Sequence, residues 1–245
     1  SIKNSYYIKR LIFDEIMSNF LISSQIRKKI KKIKKKEKNF KFKQNSIYLK
    51  KLNFKLTKDQ NKAIEEINND LKSKERMFRL LQGDVGSGKT IVSLITALNV
   101  INSGYQVALM APTEILAKQH YNFAIKLFGK DLKVDLLTGK TPNLIKKKII
   151  ENIRLNKTNL IIGTHALFQK RIFYKKLGLI IIDEQHKFGV RQRKELSDKG
   201  GNNCDVLVMS ATPIPRTMIL TIYGDMDVTL IKEKPKNRKE IKTYS

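Results

Sequence analysis

Arg79-Leu80-Leu81-Gln82-Gly83-Asp84-Val85-Gly86-Ser87-Gly88-Lys89-Thr90 decides how this chain is read. An apolar strand runs into a glycine-rich loop, the loop ends in Lys-Thr, and a helix-like run, Ile91-Val92-Ser93-Leu94-Ile95, follows. This is the G-x-x-x-x-G-K-[ST] phosphate loop in its strand–loop–helix setting. The small residues of Gly83, Asp84, Val85, Gly86, Ser87 and Gly88 let the backbone curl so that successive N–H groups point inward at phosphate oxygens. The helix N-terminus behind them adds partial positive charge. Lys89 is placed to reach the β- and γ-phosphates, and the Thr90 hydroxyl to ligate Mg²⁺.

The 245 residues, 41% apolar, suffice for one large α/β domain plus an appendage or for two small domains. No apolar run approaches the roughly 20 residues that span a bilayer, and Ser1-Ile2-Lys3-Asn4 does not open a signal peptide. A single cysteine, Cys204, excludes an internal disulfide framework and fits a reducing compartment. The net charge of +28 invites a nucleic-acid partner. Lys outnumbers Arg by 40 to 10 and Ile and Asn are abundant, a pattern that AT-rich coding also produces. The distribution says more: residues 1–58 carry 18 Lys+Arg against 3 Asp+Glu, while the other 187 carry 32 against 19.

That asymmetry divides the chain near residue 55. In the N-terminal part, Ile12, Ile16 and Phe20, then Ile26, Ile30 and Ile33, recur at helical spacing and predict one long helix. From Arg27 to Lys43 its polar positions are almost all Lys. Such a helix needs a partner for its narrow apolar stripe. Two roles fit: a solvated linker helix packed on a neighbouring domain, or a contact to the DNA backbone. Residues 39–53 read as a loop or a short extended piece. Beyond Leu56, apolar runs at Phe78–Gln82, Gln106–Ala111, Lys133–Leu137, Asn159–Gly163, Leu177–Asp183 and Asp205–Ser210 predict strands. Helical stretches such as Thr90–Ile101, Glu114–Phe128 and Thr141–Leu155 lie between them. Continuous apolar strands separated by helices indicate an α/β fold, a parallel sheet covered on both faces. Ligands bind such sheets at the carboxyl ends of the strands.

Two further motifs fall at strand ends. Leu179-Ile180-Ile181-Ile182-Asp183-Glu184-Gln185-His186 delivers adjacent carboxylates from a buried strand. Asp183 is placed to hold Mg²⁺, and Glu184 to orient or deprotonate an attacking water. His186, by its spacing, is placed to report nucleotide state to the rest of the domain. Val206-Leu207-Val208-Met209-Ser210-Ala211-Thr212-Pro213 ends another strand in small hydroxyl residues. Ser210 and Thr212 can hydrogen-bond the carboxylate pair without adding charge.

These three elements, in this order, resemble a superfamily 2 helicase of the Asp-Glu-x-His type. The flanking residues narrow the match. Gly-Asp-Val-Gly-Ser-Gly-Lys-Thr (83–90), Ala-Pro-Thr-Glu-Ile-Leu-Ala (111–117) with Gln119-His120, Gly-Thr-His-Ala-Leu (163–167), Asp-Glu-Gln-His-Lys-Phe-Gly-Val (183–190) and Met-Ser-Ala-Thr-Pro-Ile-Pro-Arg-Thr (209–217) look like the RecG family of bacterial ATP-dependent DNA helicases. That family remodels stalled replication forks and branched recombination intermediates. The resemblance covers about residues 54–245 and implies a RecA-like motor domain that uses ATP and Mg²⁺ in the bacterial cytoplasm.

Site roles follow from the resemblance. Phe54 and Gln60 match the adenine-recognition motif. The phosphate loop and Lys89 hold the phosphates, and Thr90 and Asp183 the Mg²⁺. Pro112, Thr113, Thr164 and His165 match motifs that touch the DNA strand, and Arg216 contacts DNA or the partner motor domain. Such contacts go mainly to phosphate and sugar. Gln185, Ser210 and Thr212 couple the parts, with Lys187 standing where the family usually has Arg. The resemblance also implies a wedge domain ahead of the motor and a second motor domain after it, so the chain reads as part of a longer enzyme. Residues 1–53 then form the linker segment, 54–235 the ATP-binding domain and 236–245 the start of the connection. A transcription-repair coupling translocase, which typically has Glu at the position of Gln185, and a nucleotide-dependent binding module that never hydrolyses ATP remain the alternatives.

Overall fold

The computed structural model describes residues 7–15, 17, 18, 21, 25, 34–40, 46–169, 171–183, 201–211 and 226–233. Its centre is a seven-stranded sheet: β1 (Phe78–Gly83), β2 (Gln106–Met110), β3 (Val134–Leu137), β4 (Leu160–Gly163), β5 (Leu177–Asp183), β6 (Asp205–Ser210) and β7 (Asp227–Ile231). The order across the sheet is β3-β4-β2-β5-β6-β1-β7, and every registered pair is parallel. Among the described residues from 46 onward the α-helices are α1 (Ser46–Lys50), α2 (Lys58–Lys72), α3 (Lys89–Asn102), α4 (Glu114–Phe128) and α5 (Asn143–Arg154). The six strands expected from apolar runs are all present, with ends shifted by at most one residue. Strand β7 and helix α2 were not anticipated.

The inner strands are mostly apolar because both faces are covered. All seven residues of β5 are buried. Alternation along it sends Leu179 and Ile181 into a core with Ile64 and Ile67 of α2, Leu94 and Leu98 of α3 and Phe128 of α4. Ile180 and Ile182 enter the opposite core with Ile149 and Ile153 of α5. Each such aliphatic side chain contributes about 1.5–3 kcal/mol by leaving water. Helix α3 lies deepest, with 12 of its 14 residues buried, and a helix apolar all round belongs in an interior. Its polar residues are satisfied locally: Thr96 donates to the carbonyl of Val92, and Asn99 to the side chain of Asn68 at 2.7 Å. Helix α2 opens with a capping box in which Thr57 and Gln60 satisfy each other's backbone N–H. No helix among the described residues is long and apolar enough to cross a membrane.

The Lys-rich segment departs from the sequence reading. Residues 7–15 are helical, but residues 35–40 form no helix, and Lys34 instead makes an antiparallel bridge with Glu75. Lys35 and Lys38 are not solvated: both side chains are fully buried against an equally buried Asp205. Lys35 Nζ lies 2.8 Å from both carboxylate oxygens and donates to the carbonyl of Asp70, while Lys38 Nζ lies 2.6 Å from Oδ2 and donates to the carbonyl of Asn203. The Met77 N–H adds a further bond to Asp205. Burial holds the Lys35 ammonium below its ordinary pKa, with Asp205 pulling the other way. Burial likewise pushes the adjoining Cys204 thiol up to about 12. The expected loop at 39–53 contains α1, whose Tyr48 meets Phe128 edge-on at 5.6 Å.

Removing one partner of a buried ion cluster strands the others, at a cost of about 3–5 kcal/mol. Asp205→Ala is therefore expected to destabilise the chain by about that much in urea denaturation. Glu37→Ala, which breaks the exposed Lys74–Glu37 pair at 3.9 Å, is expected to change stability little.

Candidate nucleotide-binding site

The phosphate loop joins β1 to α3 at the carboxyl edge of the sheet. Gly86 and Gly88 have φ of 80° and 92°, the left-handed region that L side chains rarely adopt. Gly88 is the N-cap of α3 and supplies no side-chain cap, the setting in which a helix N-terminus receives an anion. The turn is closed by Ser87 N–H donating to the carbonyl of Asp84 at 3.0 Å. The Ser87 hydroxyl oxygen is the one buried side-chain polar atom without a hydrogen-bond partner among the described residues. It belongs to the glycine-rich loop and stands against Gly83, and an orphaned hydroxyl in such a loop fits a phosphate-binding role. Lys89 is buried, and its Nζ donates to the loop carbonyls of Gly83 at 2.6 Å and Asp84 at 3.1 Å. The ammonium is thus stored on the loop it serves.

Gln60 braces the loop from α2. It is buried, and its Nε2 donates to the carbonyl of Ser87 at 2.7 Å while its Oε1 accepts from the Thr57 N–H at 2.9 Å. A Cβ at Gly88 would sit 2.2 Å from that Nε2, so a larger residue there displaces the Gln60 amide. Phe54, which the sequence pairs with Gln60, is 40% exposed and lines an open apolar groove of about 840 Å³ with Leu49, Leu52, Leu56 and Asn61.

Three strands bring the chemistry together. Register pairs Gln82 with Ser210 and Asp183 with Met209, so β1, β6 and β5 end side by side at Gly83, Ser210 and Asp183. Asp183 is buried, and its Oδ2 lies 2.7 Å from Nε2 of His120 on α4. Its carboxylate and the hydroxyl of Thr90, the second residue of α3, are both hard oxygen donors. No cluster of three or more His, Cys, Asp or Glu capable of holding a metal exists among the described residues. Such donors suit Mg²⁺, which keeps waters and takes substrate phosphates rather than an all-protein cage. Glu184, Gln185, His186, Thr212 and Arg216 lie outside the described residues.

The expected strand-contact residues share the same edge. β2 and β4 are neighbours, with Met110 opposite Gly163 and the Ala111 N–H donating to the carbonyl of Gly163 at 2.8 Å. Pro112 and the exposed Thr113 follow one strand, and the buried Thr164 and exposed His165 the other. Thr113 also caps α4, its hydroxyl accepting from Leu116 N–H. Sequence reading assigned no role to His120. Its signal was a histidine on the apolar stripe of α4, three residues after Ala117 and four before Ala124, both fully buried.

A parallel sheet with a phosphate loop after β1 and a carboxylate closing β5 defines a P-loop nucleotide-binding domain. The model of the DEAD/DEAH box helicases matches residues 57–220, and the chain belongs to that family. It is 49% identical over 239 residues to the ATP-dependent DNA helicase RecG of Aquifex aeolicus, an alignment covering 97% of this chain and 30% of that protein. The RecG of Bacillus subtilis is 50% identical over 198 residues, covering 80% of this chain and 29% of the relative. A solved structure of RecG bound to a three-way DNA junction superposes with a TM-score of 0.84 at 44% identity, covering 95% of this chain and 31% of that one. The chain thus spans about 30% of the length of the relatives it matches.

Gly88→Ala combines a strained φ with displacement of the Gln60 amide from the loop. The expected outcome is a folded chain with nucleotide affinity reduced at least tenfold, about 1.4 kcal/mol, measured by fluorescent-nucleotide titration.

Proposed function

We propose that this chain is the first motor half of an ATP-driven DNA helicase or translocase of the RecG type. It acts without sequence preference on branched DNA, such as stalled forks and recombination intermediates, in bacterial repair and recombination. The observation that carries this reading is the convergence of the phosphate loop, Asp183 and the Pro112–Thr113 and Thr164–His165 turns on one sheet edge. The likeness to a RecG bound to a three-way junction supports the substrate class.

The chain's own residues divide the work. Backbone N–H groups of 83–90 cradle phosphate oxygens, and Lys89 exchanges the carbonyls of Gly83 and Asp84 for the β- and γ-phosphates, where charge-assisted bonds are stronger. Thr90 and Asp183 would hold Mg²⁺, which neutralises charge developing on the transferred phosphoryl group. Glu184 receives a proton from, or orients, the attacking water. Phe54 stacks on the adenine, and Gln60 exchanges its bonds to Thr57 and Ser87 to read the base edge. Gln185, His186, Ser210 and Thr212 relay the nucleotide state, and Pro112, Thr113, Thr164, His165 and Arg216 grip the strand backbone. Residues 1–53 serve as linker, 54–235 as motor and 236–245 as the start of the connection. The partners are the wedge and second motor domain of a longer cytoplasmic protein, the second motor supplying an arginine finger worth roughly 10³–10⁵ in rate.

Glu184→Gln is expected to leave nucleotide binding intact and to stop phosphate release in the full-length protein, because the amide keeps the shape and loses the base. Release at the wild-type rate overturns the assignment of Glu184. DNA affinity of the chain is expected to fall steeply between about 50 and 200 mM salt, as counterion release requires. A salt-independent affinity in electrophoretic or fluorescence titration argues against a phosphate-backbone grip.

A further inference from the structure

His120 reaches the nucleotide edge from a helix that the phosphate-binding machinery does not otherwise use. It sits on the inner face of α4, and its Nε2 stands 2.7 Å from Asp183 Oδ2, with the two side chains 8% and 11% exposed. A carboxylate oxygen only accepts, so Nε2 donates. A buried carboxylate at the end of an apolar strand needs such a donor. The contact has a second effect because of where it falls. It commits one oxygen of Asp183 within the protein, fixes the orientation of the carboxylate and leaves the other oxygen for an ion. Helix α4 begins directly after Thr113, so the same rigid element carries a strand-contact residue and, two turns on, this imidazole.

We propose that His120 is a positioning residue that orients Asp183 toward the Mg²⁺ accompanying the nucleotide. The proposal rests on the reading of Asp183 as an ion ligand. Hydrogen-bond partners of ligating groups set the geometry of the ion site, and their loss costs roughly 10–100-fold in metal affinity or activity.

The test is a titration of mant-ADP into the chain at a series of Mg²⁺ concentrations and in EDTA, for wild type, His120→Phe and His120→Gln. Phe fills the space without a donor, whereas the Gln amide restores one. His120→Phe is expected to need roughly 10–100-fold more Mg²⁺ to strengthen nucleotide binding, with unchanged affinity in EDTA, and His120→Gln to recover most of the loss. If His120→Phe responds to Mg²⁺ as wild type does, His120 has no positioning role. Equal weakening with Mg²⁺ and with EDTA overturns the role too, since it reveals general damage to the nucleotide site. A wild-type chain indifferent to Mg²⁺ overturns the ion assignment of Asp183 and the proposal with it. Should His120→Phe not fold, ¹⁵N NMR of the wild-type imidazoles replaces it. Addition of Mg²⁺ to the mant-ADP complex is then expected to shift the His120 Nε2 resonance, and an unmoved resonance overturns the proposal.

Discussion

Every registered strand in this molecule runs the same way, and the candidate site depends on that constraint. Parallel strands need crossovers, crossovers bring helices, and helices on both faces bury the sheet. All carboxyl ends therefore collect on one edge, where the strands stop and the backbone is free to bend around a ligand. Gly83, Ser210 and Asp183 become neighbours by register alone. The same edge takes the N-terminus of α3, whose partial positive charge faces whatever the loop encloses.

Several polar groups inside this apolar framework tie two elements together. Gln60 joins α2 to the phosphate loop. His120 joins α4 to β5. Gln106, at the start of β2, donates to the carbonyls of Ile153 and Thr158 and accepts from the backbone of Lys175 and Lys176. Buried polar atoms left without partners are costly, so such bonds specify one arrangement of helices over the sheet. The Ser87 hydroxyl departs from this pattern, and it does so inside the loop built for a phosphate.

Strands β2, β4, β5 and β6 were legible because burial on both faces writes a mostly apolar run, β1 and the edge strand β3 by shorter apolar runs, and the phosphate loop because its glycines answer a backbone requirement that few other residues meet. Strand β7 was missed: at the sheet edge, Asp227-Val228-Thr229-Leu230-Ile231 is only partly buried and reads as unremarkable chain. Helix α2 carried a readable sign, Thr57-x-x-Gln60, but Gln60 had been assigned to adenine, and one residue serves as cap and loop brace at once. Lys35 and Lys38 were illegible in principle. In a segment crowded with lysine nothing local marks the two that will meet Asp205, some 170 residues away. The pairing of His120 with Asp183 is likewise tertiary, created when α4 packs on the face of the sheet beside β3 and β4.

The attachment of Lys35 and Lys38 to Asp205 also has a mechanical meaning. Asp205 is the foot of β6, at the opposite end of the strand from Ser210. Tension drawn along the residues before Lys34 enters the sheet there and runs lengthwise down an inner strand. That strand is held in shear by five registered pairs to β1 and five to β5. Hydrogen bonds loaded side by side share the force, whereas bonds peeled one at a time do not. A pull on this segment therefore moves the sheet as a body and leaves the loops at its far edge in register with one another.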